Sequence, residues 1–239
     1  MFDHVTIRVS DLDVSRRFYE HALGLLKHAP EPHADEWGDF SIYPSDAERG
    51  VTRRLHVAYQ ADSRDEVDTW WRALTAAGSP DDGAPGLRPQ YGPTYYGAFV
   101  LDPDGSSIEA VHREPARGDG TVIDHLWLRV RDLDAASRFY ETVAPIVGYG
   151  VARHESRTRV HGDGASFTVL EGPPTENVHL ALSAPDRETV AAFHAAGLAA
   201  GYTSLGGPGE RPEYHVGYYG AYLRDPDGNN IEAVFHDRS

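Results

Sequence analysis

Residues Asp3 to Glu20 read DHVTIRVSDLDVSRRFYE, and residues Asp124 to Glu141 read DHLWLRVRDLDAASRFYE. Eleven of the eighteen positions are identical, so the chain of 239 residues is an internal duplication. The ends of the repeats match as well: YYGAFVLDPDGSSIEAVH from Tyr95 to His112, and YYGAYLRDPDGNNIEAVF from Tyr218 to Phe235. Between them, Leu55-His56-Val57-Ala58 answers Val178-His179-Leu180-Ala181. Each repeat is long enough for its own core. The sequence predicts domains at 1–115 and 121–239, with 116–120 as the linker inside the polar run EPARGDG.

The repeat keeps a set of chemically active residues. His4, His56 and Glu109 recur as His125, His179 and Glu232 at nearly the same separations. A single strand histidine is more often structural than ligating. Two imidazoles and a carboxylate kept twice form a mixed N/O donor set that suits a divalent metal with open coordination positions. The bland reading is a retained scaffold with no metal bound.

Local patterns set the order of elements. Val5, Ile7 and Val9 alternate with His4, Thr6 and Arg8, a period of two that predicts a strand, and Leu126 to Val130 repeats it. A helix is expected from about Asp13 to Leu23, with Asp11 or Asp13 as N-cap, Gly24 as its stop, and Phe18 and Leu25 packed on the sheet. Short strands follow near Phe40 to Tyr43 and Ser166 to Leu170. A second unit of the same kind begins at Leu55 to Tyr59. Its helix runs over Ser63 to Ala77, with Val67, Trp70, Trp71 and Leu74 in an apolar stripe, and is answered by Arg187 to Ala200. Gly83 to Pro93 and Gly206 to Val216 read as Gly/Pro-rich loops, and as lids if they move. The hairpins turn at Asp102-Pro103-Asp104-Gly105 and Asp225-Pro226-Asp227-Gly228.

Composition removes some function classes. A formal net charge of −15 with no basic run argues against nucleic acid and anionic membrane surfaces as partners. No apolar stretch has the length of a membrane span. A first strand at Phe2 leaves no room for a signal peptide, so a cytoplasmic location is expected. With no cysteine there is no disulfide or thiol chemistry.

The order strand, helix, further strands, with His on the first strand, His on the fifth and Glu on the eighth, resembles the vicinal oxygen chelate superfamily. This is the glyoxalase, bleomycin-resistance and extradiol-dioxygenase group. The resemblance covers almost the whole chain. It implies an α+β fold: two tandem domains, each of two βαβββ modules forming an open eight-stranded cup. By this resemblance His4, His56 and Glu109 would form one metal site, and His125, His179 and Glu232 the other. The sequence leaves open whether sites form within the repeats or across them.

Glyoxalase I has a fourth ligand, and the matching position here holds Ser41 or Thr168, which argues against ordinary glyoxalase I activity. Extradiol dioxygenases use three ligands and a tyrosine ten residues before the glutamate. Tyr222 stands there in the second repeat and Phe99 in the first. His215, present only in the second repeat, is the candidate acid–base partner. Trp127 is a candidate wall of the site, and Arg8 and Arg129 are either surface ion-pair partners or clamps for a substrate carboxylate.

The resemblance thus implies a metal-dependent enzyme, a dioxygenase or a lyase/isomerase, acting on a small molecule with neighbouring oxygens. Fe²⁺ or Mn²⁺ is favoured, and Zn²⁺, Ni²⁺ or Co²⁺ would also fit. The alternative is a non-catalytic binder of a small molecule or antibiotic. Because duplication supplies the pairing that single-domain relatives obtain by dimerising, a monomer or a homodimer is expected.

Overall fold

The structure is a computed structural model and describes residues 2–32, 34–115, 121–162 and 166–237. The expected linker, 116–120, lies outside them. Two compact units emerge, Thr6–Trp127 and Met1–Val5 with Leu128–Ser239. The first five residues therefore go with the second repeat.

In the first repeat β1 (Phe2–Val9) leads into α1 (Leu12–Leu25), β2 (Glu36–Trp37) and β3 (Phe40–Pro44). Then come β4 (Leu55–Gln60), α2 (Arg64–Ala76), β5 (Asp81–Leu87), β6 (Tyr96–Leu101) and β7 (Ser107–His112). The second repeat begins with β8 (Ile123–Val130), α3 (Leu133–Val143), a 3-10 turn, β9 (Gly150–His154), β10 (Arg157–His161) and β11 (Ser166–Glu171). It continues with β12 (His179–Ser183), α4 (Arg187–Ala199), β13 (Ser204–Glu210), β14 (Tyr218–Arg224) and β15 (Asn230–His236).

The α+β architecture is the one the repeats imply. Hydrogen-bonded strand order is β13-β14-β15-β12-β1-β3-β2 in a seven-stranded sheet and β5-β6-β7-β4-β8-β11-β10-β9 in an eight-stranded one. β1 and β8 are the strands that pass from one unit to the other. Within Thr6–Trp127, the early part of β8 follows β4. Within the other unit, Phe2–Val5 follows β12.

Helix ends match their chemistry. Asp11 caps α1 by accepting from Val14 N, Ser63 caps α2 through Glu66 N, and Asp132 and Asp186 repeat this for α3 and α4. α1 passes Gly24 to end at Leu25, capped by Leu26, with Lys27 taking the left-handed conformation (φ 63°). Its buried residues are Ser15, Tyr19, Ala22 and Leu23, not the expected Phe18 and Leu25. The register is set by Tyr19, whose hydroxyl donates to the buried carboxylate of Asp102 at 2.8 Å. On α2, Val67, Trp70 and Leu74 are buried, and Trp70 Nε1 reaches the Ala22 carbonyl of α1 at 3.1 Å. Trp71 turns outward to donate to Asp81.

Two stretches read as loops form edge strands at their beginnings, β5 and β13, each in an irregular register with its neighbour. Glycine and proline conceal them from a search for β-branched residues. Among the described residues no helix is long and apolar enough to cross a membrane.

Candidate metal centres

Strand pairing decides which donors meet. β4 and β7 run parallel, with His56 opposite Ser107 and Ala58 opposite Glu109. His56 and Glu109 therefore share a face. β8 lies next to β4 and brings His125. In the other unit β12 and β15 repeat this, with His179 opposite Asn230 and Ala181 opposite Glu232, and β1 brings His4. Two clusters result: His56, Glu109 and His125, and His4, His179 and Glu232. In each, one donor atom per residue lies within 4.8 Å of the others. The grouping of His4 with His56 and Glu109, and of His125 with His179 and Glu232, is thus corrected. The six residues are brought together, but the first-strand histidines are exchanged between repeats.

The donor atoms converge. In Thr6–Trp127, His56 Nε2 is 3.2 Å and His125 Nε2 3.8 Å from Glu109 Oε2. In the other unit, His179 Nε2 is 3.0 Å and His4 Nε2 3.8 Å from Glu232 Oε2, and the two Nε2 atoms are 3.0 Å apart. Glu109 and Glu232 are buried, at 1% and 0% exposure. Burying a carboxylate is costly without compensation.

Part of the compensation comes from tyrosine. Tyr95 donates to Glu109 Oε1 at 2.8 Å, and Tyr218 to Glu232 Oε1 at 2.8 Å. Burial first, and the facing glutamate second, push both phenols well above their ordinary range, so both stay protonated donors. The other oxygen of Glu232 is buried and makes no hydrogen bond among the described residues.

Aspartates orient the first-strand histidines. Asp3 Oδ1 accepts from His4 Nδ1 at 2.8 Å, and Asp124 Oδ1 from His125 Nδ1 at 2.7 Å. With the proton on Nδ1, the Nε2 lone pair faces the cluster. Burial raises the Asp3 carboxyl, but hydrogen bonds and charge from His4 and His236 outweigh it and hold the group below the usual carboxylate range. Lone pairs and a carboxylate oxygen therefore aim at one point in each unit. A cation satisfies that arrangement and a proton cannot satisfy all of it, so the donor sets fit a divalent metal.

The outer contacts differ. Asp124 Oδ2 takes Arg113 through Nε at 3.0 Å and Nη2 at 2.6 Å. Asp3 Oδ2 takes His236 Nε2 at 2.8 Å, and His236 Nδ1 meets His215 Nε2 at 2.8 Å. His215, expected as the acid–base partner, is exposed, stacked on His236 at 4.9 Å and packed edge to face on Tyr218 at 5.4 Å. His236 belongs to this chain of contacts.

Tyr222 stands opposite Glu232 in the β14–β15 register, as Phe99 stands opposite Glu109. The Tyr222 hydroxyl is buried and lies beside Glu232. Burial first, then Glu232, raises its pKa. Trp127 packs beside both His56 (5.5 Å) and His125 (6.2 Å), as a wall residue would. Ser41 Oγ is bonded to Thr6 Oγ1 at 2.8 Å. Arg8 donates to the Pro44 carbonyl at 3.1 Å and lies over the Tyr43 ring, and neither is a cluster residue.

Sequence reading missed Asp3, Asp124, Tyr95 and Tyr218 as parts of the centres. A signal was present: aspartate directly precedes histidine in both repeats, and tyrosine stands fourteen residues before glutamate in both. Gly97 and Gly220 belong with them. A Cβ at either would lie 2.2 or 2.3 Å from the glutamate Oε1. Gly220→Ala is therefore expected to displace Glu232 and lower metal affinity at that centre about 10–100-fold, the range for disturbed supporting contacts. Equilibrium dialysis of the variant against Mn²⁺ measures this, and an unchanged affinity contradicts it.

The family model of the Glyoxalase/Bleomycin resistance protein/Dioxygenase superfamily matches residues 1–110 and 122–233, and the chain belongs to that superfamily. Glyoxalase I from Zea mays superposes with a TM-score of 0.67 at 22% identity, covering 98% of this chain and 92% of that one. A provisionally assigned dioxygenase from Bacillus subtilis strain 168 gives 0.67 at 17% identity, covering 100% and 86%. At such identity these two show a shared fold. No curated protein matches the chain.

Proposed function

We propose that this protein is a divalent-metal-dependent enzyme with two centres, His56–Glu109–His125 and His4–His179–Glu232. Its substrate is a small molecule that chelates through two neighbouring oxygens. The observation that carries this reading is the convergence of two imidazole nitrogens and a buried carboxylate oxygen, twice. Three protein donors leave coordination positions for a substrate, and the mixed N/O set suits Fe²⁺ or Mn²⁺ and also accepts Zn²⁺, Ni²⁺ or Co²⁺. When bound, such an ion acts as a Lewis acid on substrate oxygens.

The chain's own residues supply the rest. Asp3 and Asp124 keep the Nε2 lone pairs directed inward. Tyr95 and Tyr218 hold the glutamates oriented by donating to Oε1. Tyr222, protonated and beside Glu232, is placed to donate a hydrogen bond to a substrate oxygen at the His4 centre. Phe99 removes that function from the other centre, where Trp127 and Tyr91, 5.4 Å apart and edge to face, form an aromatic wall. Both clusters are complete within one chain, which supports a monomer as the working unit.

Anaerobic loading with Fe²⁺ or Mn²⁺ tests the reading, followed by assays of catechols for oxygen uptake and of 2-oxoaldehyde–thiol adducts by absorbance. Turnover should depend on the metal and fall at least about 100-fold in Glu109→Ala/Glu232→Ala, since the bound ion supplies several kcal/mol of stabilisation. Tight ligand binding that survives loss of both glutamates, with no product formed, points instead to a sequestering protein.

A further inference from the structure

Each repeat carries an arginine at the same place in a shared run: Arg88 in GLRPQYGPTYYG and Arg211 in GERPEYHVGYYG. The structure gives them the same pose. The Arg88 guanidinium lies 5.5 Å over the Phe99 ring, and that of Arg211 lies 5.4 Å over the Tyr222 ring. Phe99 and Tyr222 are the residues opposite the two cluster glutamates, so their side chains project from the same sheet face. Each ring also neighbours a cluster histidine, Phe99–His56 at 5.8 Å and Tyr222–His179 at 6.2 Å. Each guanidinium is therefore one ring outward from a metal centre.

The pose is held in place. Nη2 of each arginine donates to the carbonyl four residues back, Ala84 or Gly207, at 2.8 Å. Nη1 is directed at the preceding carbonyl, at 3.5 Å in Arg88 and 3.0 Å in Arg211. The edge strands are cleared beneath them. A Cβ on Gly86 or Gly209 would lie 2.9 Å from the arginine Nη1, and one on Gly83 or Gly206 would lie 2.9 Å from the ring. Glycine weakens a strand, and in strands it often marks a close approach of this kind.

Neither arginine has a carboxylate within ion-pair distance among the described residues. Arg16, Arg113, Arg153 and Arg187 each have one. A guanidinium has five N–H donors, and the backbone carbonyls leave several unused. Each is thus a half-buried, fixed cation with no carboxylate partner among the described residues, in a chain of net charge −15.

We infer that Arg88 and Arg211 recognise a carboxylate on the ligand that the adjacent cluster takes. A planar fork matches a carboxylate bidentately. The ligand class is then a small organic acid, with a pair of neighbouring oxygens at one end and a carboxylate at the other. This rests on the metal reading above for the oxygen-bearing end. It makes the two arginines residues that set specificity.

The test is anaerobic calorimetric titration of Mn²⁺-loaded protein with catechol and with 3,4-dihydroxybenzoate, which share a chelating pair and differ by a carboxylate. Wild type should bind the acid at least about ten-fold more tightly, the scale of one charge-assisted pair. Arg88→Gln/Arg211→Gln should lose that preference while its catechol affinity stays unchanged. Lysine at both positions should restore part of it, since an ammonium keeps the charge without the fork. An equal loss for both probes in the glutamine variant would make the arginines staples of β5 and β13 and overturn the inference. A preference that persists in that variant does the same. Wild type that holds Mn²⁺ but binds both probes equally overturns the arginine assignment alone. Wild type that takes up no Mn²⁺ overturns the metal reading and this inference with it.

Discussion

His4→Ala and Glu232→Ala are each expected to remove about one of two bound metal equivalents, and the double variant to remove no more than either alone. His4→Ala combined with Glu109→Ala should remove both. The difference follows from His4 Nε2 lying 3.8 Å from Glu232 Oε2, in the cluster that contains His179 and not the one that contains His56. Loss of one of three donors disables a centre that has no spare ligand. The matching pair, His125→Ala with Glu109→Ala, should again leave about one equivalent. Elemental analysis after gel filtration reads the result directly. If His4→Ala/Glu109→Ala keeps one equivalent while His4→Ala/Glu232→Ala keeps none, the ligands are shared within each repeat and the present pairing is wrong.

Chelation should lower thermal stability markedly. Ligand at a thousand times its dissociation constant stabilises the folded state by about 4 kcal/mol per site. For a chain of this length each kcal/mol corresponds to roughly 2–4 °C, so stripping one centre should cost on the order of 10 °C. The sign has a second check. In metal-free protein the Glu232 carboxylate is buried beside two imidazole nitrogens, with one oxygen lacking a hydrogen bond. Replacing it by glutamine removes the buried charge and supplies an N–H donor towards those nitrogens. Metal-free Glu109→Gln/Glu232→Gln should therefore unfold at a higher temperature than metal-free wild type, and chelator should leave it unchanged. Scanning calorimetry with and without chelator measures both. A wild-type midpoint that ignores chelator would contradict the metal reading.

Much of each centre was legible in the chain because its parts are local and repeated. The donors stand on strands whose alternation shows which residues share a face. The turns at Asp102 and Asp225 follow from proline and from glycine in the left-handed conformation, Gly105 at φ 83° and Gly228 at φ 99°. Other parts were hidden for identifiable reasons. β5 and β13 are strands of glycine and proline, cleared for an arginine and a ring, so propensity reads them as loops. Tyr95 and Tyr218 look like core aromatics until a buried glutamate is placed against them. His215 is adjacent to the centre in sequence terms, yet hydrogen bonding turns it to His236.

The sequence by itself determined the duplication, the α+β fold, the donor residues and the strand faces they occupy. They follow from internal repetition, from short-range periodicity and from the resemblance to a known superfamily. Only the tertiary structure decided which histidine meets which glutamate. Alternation assigns a side chain to a face, but strands are joined by backbone N–H and C=O groups that are the same at every residue. β1 and β8 descend from one duplicated segment and present equivalent apolar faces, so local sequence does not distinguish their neighbours. The long-range pairing of β1 with β12 and of β8 with β4 makes that choice, and it places the first histidine of each repeat in the other repeat's centre.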